Sequence, residues 1–106
     1  MSKFTLADLE KRVHQRAKAS AAESYTRALL DKGIDHCAKK LGEEAIETAI
    51  AAVQKDKGRL IAEAADLLYH LLVVLEARGV KLAQVEAVLK KRTVQSGHEE
   101  KASRAK

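Results

Sequence analysis

Residues 60–75 constrain the fold most, because they are apolar on nearly every side of a helix. Their sequence is LIAEAADLLYHLLVVL, and a narrow stripe of Glu63, Asp66 and His70 is the exception. Such a helix needs neighbours all round, and a chain of 106 residues with five short helices hardly supplies them. We therefore expect an all-α helical bundle of about five helices, with a core completed across a homodimer.

The composition favours helix along the whole chain. There is no proline, glycine occurs five times, and no stretch alternates in the manner of a strand. Capping residues and apolar spacing predict helices over residues 6–18, 25–32, 34–53 and 57–78, and a last one through Leu82 and Leu89. The third of these is expected to bury one arc: Ile34, Cys37, Ala38, Leu41, Ala45, Ala49 and Ala52. Residues 1–93 then form a single domain, and the polar tail 94–106 is expected to be mobile.

A second acidic cluster lies in the third predicted helix. Glu44 and Glu47 are three residues apart and therefore lie about 60° apart on one helical face, as do Glu63 and Asp66. Two such helices packed side by side can present four carboxylates to one point. Hard oxygen ligands in that number suit Mg²⁺, Mn²⁺ or Ca²⁺ better than Zn²⁺.

Each acidic pair also has an ordinary explanation. Acids at this spacing are commonly a solvated helix face, which is the more frequent case for Glu43, Glu44 and Glu47 taken alone. The pair Glu63 and Asp66 is different, because leucine and alanine occupy most of the remaining circumference. Buried acids are rare and commonly functional, so this pair is expected to meet a cation.

Charge and cysteine content exclude several classes of function. The net charge of +5 is concentrated partly in the tail from Lys90, and no basic face is interleaved with aromatic residues. We therefore expect no nucleic-acid partner, and the charge better suits an anionic small molecule. Cys37 has no second cysteine to pair with and is expected in the core. No signal peptide or membrane-spanning run is visible, which predicts a cytoplasmic protein with no membrane partner.

Three segments together resemble the phosphoribosyl-ATP pyrophosphatase family. They are SYT at 24–26, KLGEEAIET at 40–48 and EAADLLYH at 63–70. That family belongs to the all-helical MazG-like nucleotide pyrophosphohydrolases, and the likeness covers almost the whole chain. Glu-Glu-x-x-Glu with Glu-x-x-Asp indicates the superfamily, whereas the flanking Lys-Leu-Gly and Leu-Leu-Tyr-His segments indicate the histidine-pathway member.

The resemblance implies hydrolysis of phosphoribosyl-ATP to phosphoribosyl-AMP and pyrophosphate, the second step of histidine biosynthesis. It implies Mg²⁺ as the cofactor, with Mn²⁺ as an alternative, and four metal ligands: Glu44, Glu47, Glu63 and Asp66. Glu43 is then a further ligand or the group that orients water. The chemistry fits the residues without the family name, because metal ions held by carboxylates neutralise phosphate charge and activate water.

Candidates for binding the substrate lie on the same two helices. Lys39 and Lys40 stand beside the acidic cluster and can reach phosphates, although exposed lysines are often merely solvated. His70 follows Asp66 by one helical turn on the same face. The resemblance favours a contact with the substrate or with a metal ligand, and a core histidine bonded to a neighbour is the alternative.

The SYT segment adds three more candidates. Ser24, Tyr25 and Thr26 are candidates for contacts with phosphate or ribose. Ser24 is also a good N-cap, an explanation that needs no ligand. Tyr69 falls on another side of its helix, where a packed ring with a satisfied hydroxyl is the favoured interpretation.

Three other functions stay open. A MazG-like enzyme that hydrolyses other nucleoside triphosphates would use the same four carboxylates, because only its base and ribose pocket would differ. A di-iron or di-manganese carboxylate bundle is disfavoured, since no glutamate precedes His70 by three residues. A non-catalytic basic helical binding protein predicts that Glu63 or Asp66 can be replaced by leucine without loss of stability.

Overall fold

Five helices and no strand form within the residues that the computed structural model describes, which are 3–94 and Arg104. The helices are α1 (Leu6–Arg16), α2 (Tyr25–Asp31), α3 (Ile34–Val53), α4 (Lys57–Ala77) and α5 (Leu82–Arg92). The all-α class is confirmed. Most of the tail, residues 95–103 and 105–106, lies outside the described residues, so its mobility stays a prediction.

Local hydrogen bonds explain where the helices begin. The Thr5 hydroxyl accepts a bond from the Asp8 amide at 3.2 Å, and the Asp8 carboxylate accepts one from the Thr5 amide at 2.9 Å. Ser24 and Asp56 cap α2 and α4 with their side chains. Gly33, between α2 and α3, has φ of +95°, a backbone conformation that favours glycine.

The third and fourth helices form a hairpin on which the rest of the chain is assembled. α3 and α4 pack along each other, while α1 packs on α4, and α2 packs on α1, α3 and α4. The buried core lies where α3 begins and α4 ends: Val13, Leu29, Cys37, Leu72, Val73 and Leu82. Cys37 is 1% exposed, as predicted for a core cysteine. We call this half of the hairpin the packed half.

The other half of the hairpin is largely uncovered within one chain. Ile46 is 64% exposed, Val53 80% and Ile61 72%. Residues 3–94 thus do not cover the helix of residues 60–75 on all sides, as expected for so short a chain, and completion of this burial by a second subunit stays a prediction. His70, Leu72 and Val73 are the buried residues of α4. We call this second region, with the loop at residues 54–56, the open half.

The prediction that one arc of α3 is buried is wrong for the single chain. Cys37 is buried, but Ala38, Ala45, Ala49 and Ala52 are exposed. Ala51, which the pattern did not select, is fully buried. The reason is that α4 packs on one side of α3 and α2 packs on it as well, so residues 3–94 leave the remaining surface of α3 uncovered. None of the helices in residues 3–94 is long and apolar enough to cross a membrane.

Candidate active site

The hairpin brings acids from both long helices together. One carboxylate oxygen each from Glu44 of α3 and from Glu63 and Asp66 of α4 lie within 4.8 Å of one another. The two α4 acids reach the same point because residues three apart share a helical face. Glu44 and Glu63 are half-buried, whereas Asp66 is exposed, so the predicted burial of both α4 acids is wrong for the single chain.

Glu44 is repelled by neighbouring carboxylates, and Lys40 opposes this effect only in part. Burial, with repulsion from Glu47 and Asp66, raises the pKa of Glu44 above its usual 4.5. Its Oε2 atom is buried and has no hydrogen-bond partner among residues 3–94. A buried oxygen acceptor without a partner is destabilising unless a donor or a cation reaches it. The orphaned oxygen and its two neighbouring carboxylates therefore fit a hard divalent cation.

Glu47 adjoins the three acids from the exposed surface of α3. Hydrogen bonding with the Glu47 side chain raises the pKa of Glu63, burial raises it further, and Arg59 opposes the shift. Arg59 stands one turn before Glu63, and it is a cation that the motifs did not indicate. Its spacing of four residues from Glu63 was the available signal. All four predicted ligands thus lie in one region of the hairpin.

Glu43 and Lys40 pair with each other at the edge of the carboxylates. Lys40 Nζ lies 3.4 Å from Glu43 Oε1. The hydrogen bond with Glu43 raises the pKa of Lys40, and Tyr25 and Glu44 act in the same direction. Lys40 therefore stands at the edge of the carboxylates, one helical turn before Glu44. Lys39 is exposed on α3.

Three rings cluster beyond Lys40. The Tyr25 ring lies nearly parallel to that of Tyr69, with centroids 6.3 Å apart, and the His70 ring meets both edge-on at 6.5 and 5.1 Å. Tyr25 is 60% exposed, whereas His70 is buried. Within the described part of the chain, His70 Nδ1 has no hydrogen-bond partner. Burial, with Lys40, lowers the pKa of His70.

The hydroxyls of Ser24 and Thr26 are used inside the protein. The Ser24 hydroxyl donates to the Arg16 carbonyl at 3.0 Å and accepts from the Arg27 amide, which confirms its role as N-cap. Thr26 is 1% exposed and bonds the Tyr69 hydroxyl at 2.6 Å. This is the satisfied hydroxyl predicted for Tyr69. Of the SYT segment, Tyr25 alone presents an exposed side chain.

A separate cavity of about 490 Å³ lies between α1 and the turn after α4. His14 and Glu76, whose side chains pair at 3.1 Å, are part of its lining. None of the predicted site residues lines this cavity. The candidate chemistry therefore belongs to the hairpin and the adjoining turn of α2.

Known proteins resemble the chain over nearly its whole length. The profile of the phosphoribosyl-ATP pyrophosphohydrolase family matches residues 6–93. Phosphoribosyl-ATP pyrophosphatase 1 of Bradyrhizobium diazoefficiens is 64% identical over 104 residues, 98% of each chain. Phosphoribosyl-ATP pyrophosphatase of Azorhizobium caulinodans is 66% identical over 102 residues, 96% of this chain and 94% of that protein. A third relative, phosphoribosyl-ATP pyrophosphatase 1 of Rhodopseudomonas palustris, is 60% identical over 98% of this chain and 97% of its own. The chain belongs to the phosphoribosyl-ATP pyrophosphohydrolase family.

Proposed function

We propose that this chain hydrolyses phosphoribosyl-ATP to phosphoribosyl-AMP and pyrophosphate, the second step of histidine biosynthesis. One water is consumed: a new P–O bond forms from it and the α–β anhydride bond breaks. The observation that carries the proposal is the meeting of Glu44, Glu63 and Asp66 within 4.8 Å, with a buried oxygen of Glu44 unpartnered. Family membership and the names of the relatives support the substrate.

The cation we propose is Mg²⁺, with Mn²⁺ as an alternative. Its proposed ligands are Glu44, Glu47, Glu63 and Asp66, whose mutual repulsion a divalent cation relieves. When bound, such an ion neutralises phosphate charge and lowers the pKa of water. No protein nucleophile is needed, so the carboxylates hold and orient rather than attack.

Around the carboxylates, charged side chains are proposed to hold the phosphates and the water. Lys40 lies next to Glu44, and its exchangeable pairing with Glu43 allows the amine to turn to a phosphate oxygen. Glu43, when released, accepts a hydrogen bond from water or serves as a further ligand. Lys39 is exposed and is proposed as an outer phosphate contact.

A homodimer is proposed to cover the open half of the hairpin. This half exposes several large apolar side chains: Ile46, Ile50, Val53 and Ile61. Apolar surface gathered in one region commonly marks an interface, and a two-fold dimer pairs the same patch on both copies. We expect sedimentation to give a dimer and Ile61→Ser to weaken it, while Val94→Ser, at an exposed valine outside the hairpin, does not. A monomeric wild type would contradict the proposal.

The substrate is tested by pyrophosphate release in the presence of Mg²⁺. Phosphoribosyl-ATP is compared with ATP and deoxynucleoside triphosphates, using Glu63→Gln as the inactive variant and Glu86→Gln, an exposed acid on α5, as the matched control. We expect strong preference for phosphoribosyl-ATP, blank-level release by Glu63→Gln and full activity of Glu86→Gln. Faster turnover of plain triphosphates would support the broader MazG-like activity. No release from any nucleotide would support the non-catalytic binding protein. The cytoplasmic location stays a prediction.

A further inference from the structure

We propose that Tyr25 and His70 form a nucleoside subsite, in which a purine base stacks on the exposed face of Tyr25 and a polar nucleoside atom bonds His70 Nδ1. The inference rests on the proposed function, because it assigns the nucleoside end of the same substrate. It gives a role to two features that the carboxylate chemistry does not use. One is an exposed aromatic ring, and the other is a buried nitrogen without a partner.

Tyr25 is 60% exposed, and its ring packs against that of Tyr69. Its ring lies 6.3 Å from the Tyr69 ring at an interplanar angle of 20°. Tyr69 is itself fixed by the 2.6 Å hydrogen bond to the buried Thr26 hydroxyl. A ring held in this way loses little freedom when a base stacks on its other face, and base stacking on aromatic side chains is favourable.

His70 supplies the polar contact. Its side chain is 6% exposed, and Nδ1 is one of two buried side-chain polar atoms in residues 3–94 that lack a hydrogen-bond partner. The other is Glu44 Oε2, which the proposed metal would satisfy. Buried polar atoms are normally paired, so Nδ1 marks a place where a ligand atom completes a bond. The His70 ring centroid is 6.5 Å from that of Tyr25, close enough for one nucleoside to contact both.

The proposed subsite lies close enough to the carboxylates for one nucleotide to contact both. His70 follows Asp66 by one helical turn, a rise of about 6 Å along α4. Lys40, which pairs with Glu43 at 3.4 Å, stands on α3 one helical turn before Glu44. A nucleotide with its phosphates at the acids therefore has its base and ribose within reach of Tyr25 and His70.

The tyrosine content makes the subsite directly measurable. The chain has two tyrosines and no tryptophan, so intrinsic fluorescence comes from Tyr25 and Tyr69 alone. The probe is AMP in excess EDTA, with ribose 5-phosphate as the ligand that lacks a base. In the Tyr69→Phe variant the fluorescence comes from Tyr25 alone. We expect AMP to quench this fluorescence in a saturable manner and ribose 5-phosphate to leave it unchanged. Equilibrium dialysis measures the same affinities without optical interference from adenine.

Variants at both residues separate stacking from folding. Tyr25→Phe should keep AMP affinity, whereas Tyr25→Leu should weaken it about tenfold and raise KM for phosphoribosyl-ATP more than it lowers kcat. His70→Phe should lower the affinity for AMP and leave the thermal stability unchanged or higher. Equal AMP binding by Tyr25→Leu and wild type, or no AMP binding, would overturn the subsite even if pyrophosphate release proceeds. AMP quenching without pyrophosphate release would instead uphold the subsite and sink the proposed function.

Discussion

The two halves of the α3–α4 hairpin differ in how completely a single chain buries their apolar side chains and pairs their polar atoms. In the packed half, apolar side chains from all five helices are buried and the Ser24 and Thr26 hydroxyls have partners. In the open half, Ile46, Ile50, Val53 and Ile61 are exposed. The carboxylates lie near the middle of the hairpin, beside the exposed isoleucines, and repel each other around the buried Oε2 of Glu44. One half of the hairpin therefore specifies the fold within one chain, and the proposed cation, substrate and second copy all concern the rest of the hairpin.

The largest expected effect is a difference in stability between alanine variants at Leu72 and Ile61, two aliphatic residues on the same helix. Leu72 is 4% exposed, so Leu72→Ala should lower the free energy of unfolding by about 3 kcal/mol at every protein concentration. Ile61 is 72% exposed, so Ile61→Ala should act through association alone, and its effect should grow on dilution. Thermal unfolding over a range of concentrations measures both. Equal, concentration-independent losses would break the distinction between the halves.

A smaller effect concerns pH in the metal-free protein. Burial, with repulsion from Glu47 and Asp66, raises the pKa of Glu44, so its protonated form favours the folded state. That contribution is complete below the unfolded value near 4.5 and is lost as pH rises through the folded pKa. In EDTA, the contribution of Glu44 to stability should therefore fall from acid towards neutral pH.

Glu44→Gln isolates this contribution. Melting curves in EDTA should show the variant more stable than wild type at neutral pH and similar below pH 4.5. Glu86→Gln is the control and should follow the wild-type pH profile. A Glu44→Gln variant that is less stable at neutral pH would mean that the carboxylate is stabilised by something other than a cation.

Gly42→Ala should give the smallest change. Gly42 lies inside α3, and a Cβ added there would meet nothing within 4 Å. Alanine should therefore raise the free energy of unfolding by about 0.5–1 kcal/mol and leave activity unchanged. Gly58→Ala, whose added Cβ would make ordinary contact with Asp56 at 3.7 Å, is the matched control. Lost pyrophosphate release at unchanged stability would show that substrate or a second copy uses the space beside Gly42.

Local signals were sufficient to predict the helices. α3 spans Ile34–Val53 as predicted, because Gly33 separates it from α2 and the apolar pattern ends at Val53. Thr5, Ser24 and Asp56 act as caps through bonds to residues three positions later, which the sequence displays directly. The first helix ends at Arg16 rather than near residue 18, within the ordinary variation of helix ends.

Burial and the ring cluster were harder to predict, because they depend on which elements become neighbours. The apolar pattern of residues 60–75 predicted contact on all sides, but one chain supplies neighbours mainly to the final turns of α4. Acid spacing indicated the meeting of Glu44 with Glu63 and Asp66. No periodicity indicated that Tyr25 would lie against Tyr69, because they are far apart in the chain.

The central claim is that the carboxylates of the hairpin bind a divalent cation. Its most direct test is thermal unfolding during titration with Mg²⁺ at constant ionic strength. We predict that Mg²⁺ raises the melting temperature of the wild type and of Glu86→Gln. At a hundredfold excess over the dissociation constant, the stabilisation should be about 2.7 kcal/mol. Asp66→Asn and Glu63→Gln should lose most of that response. A wild type that does not respond to Mg²⁺ or Mn²⁺, or variants that respond equally, would contradict the account.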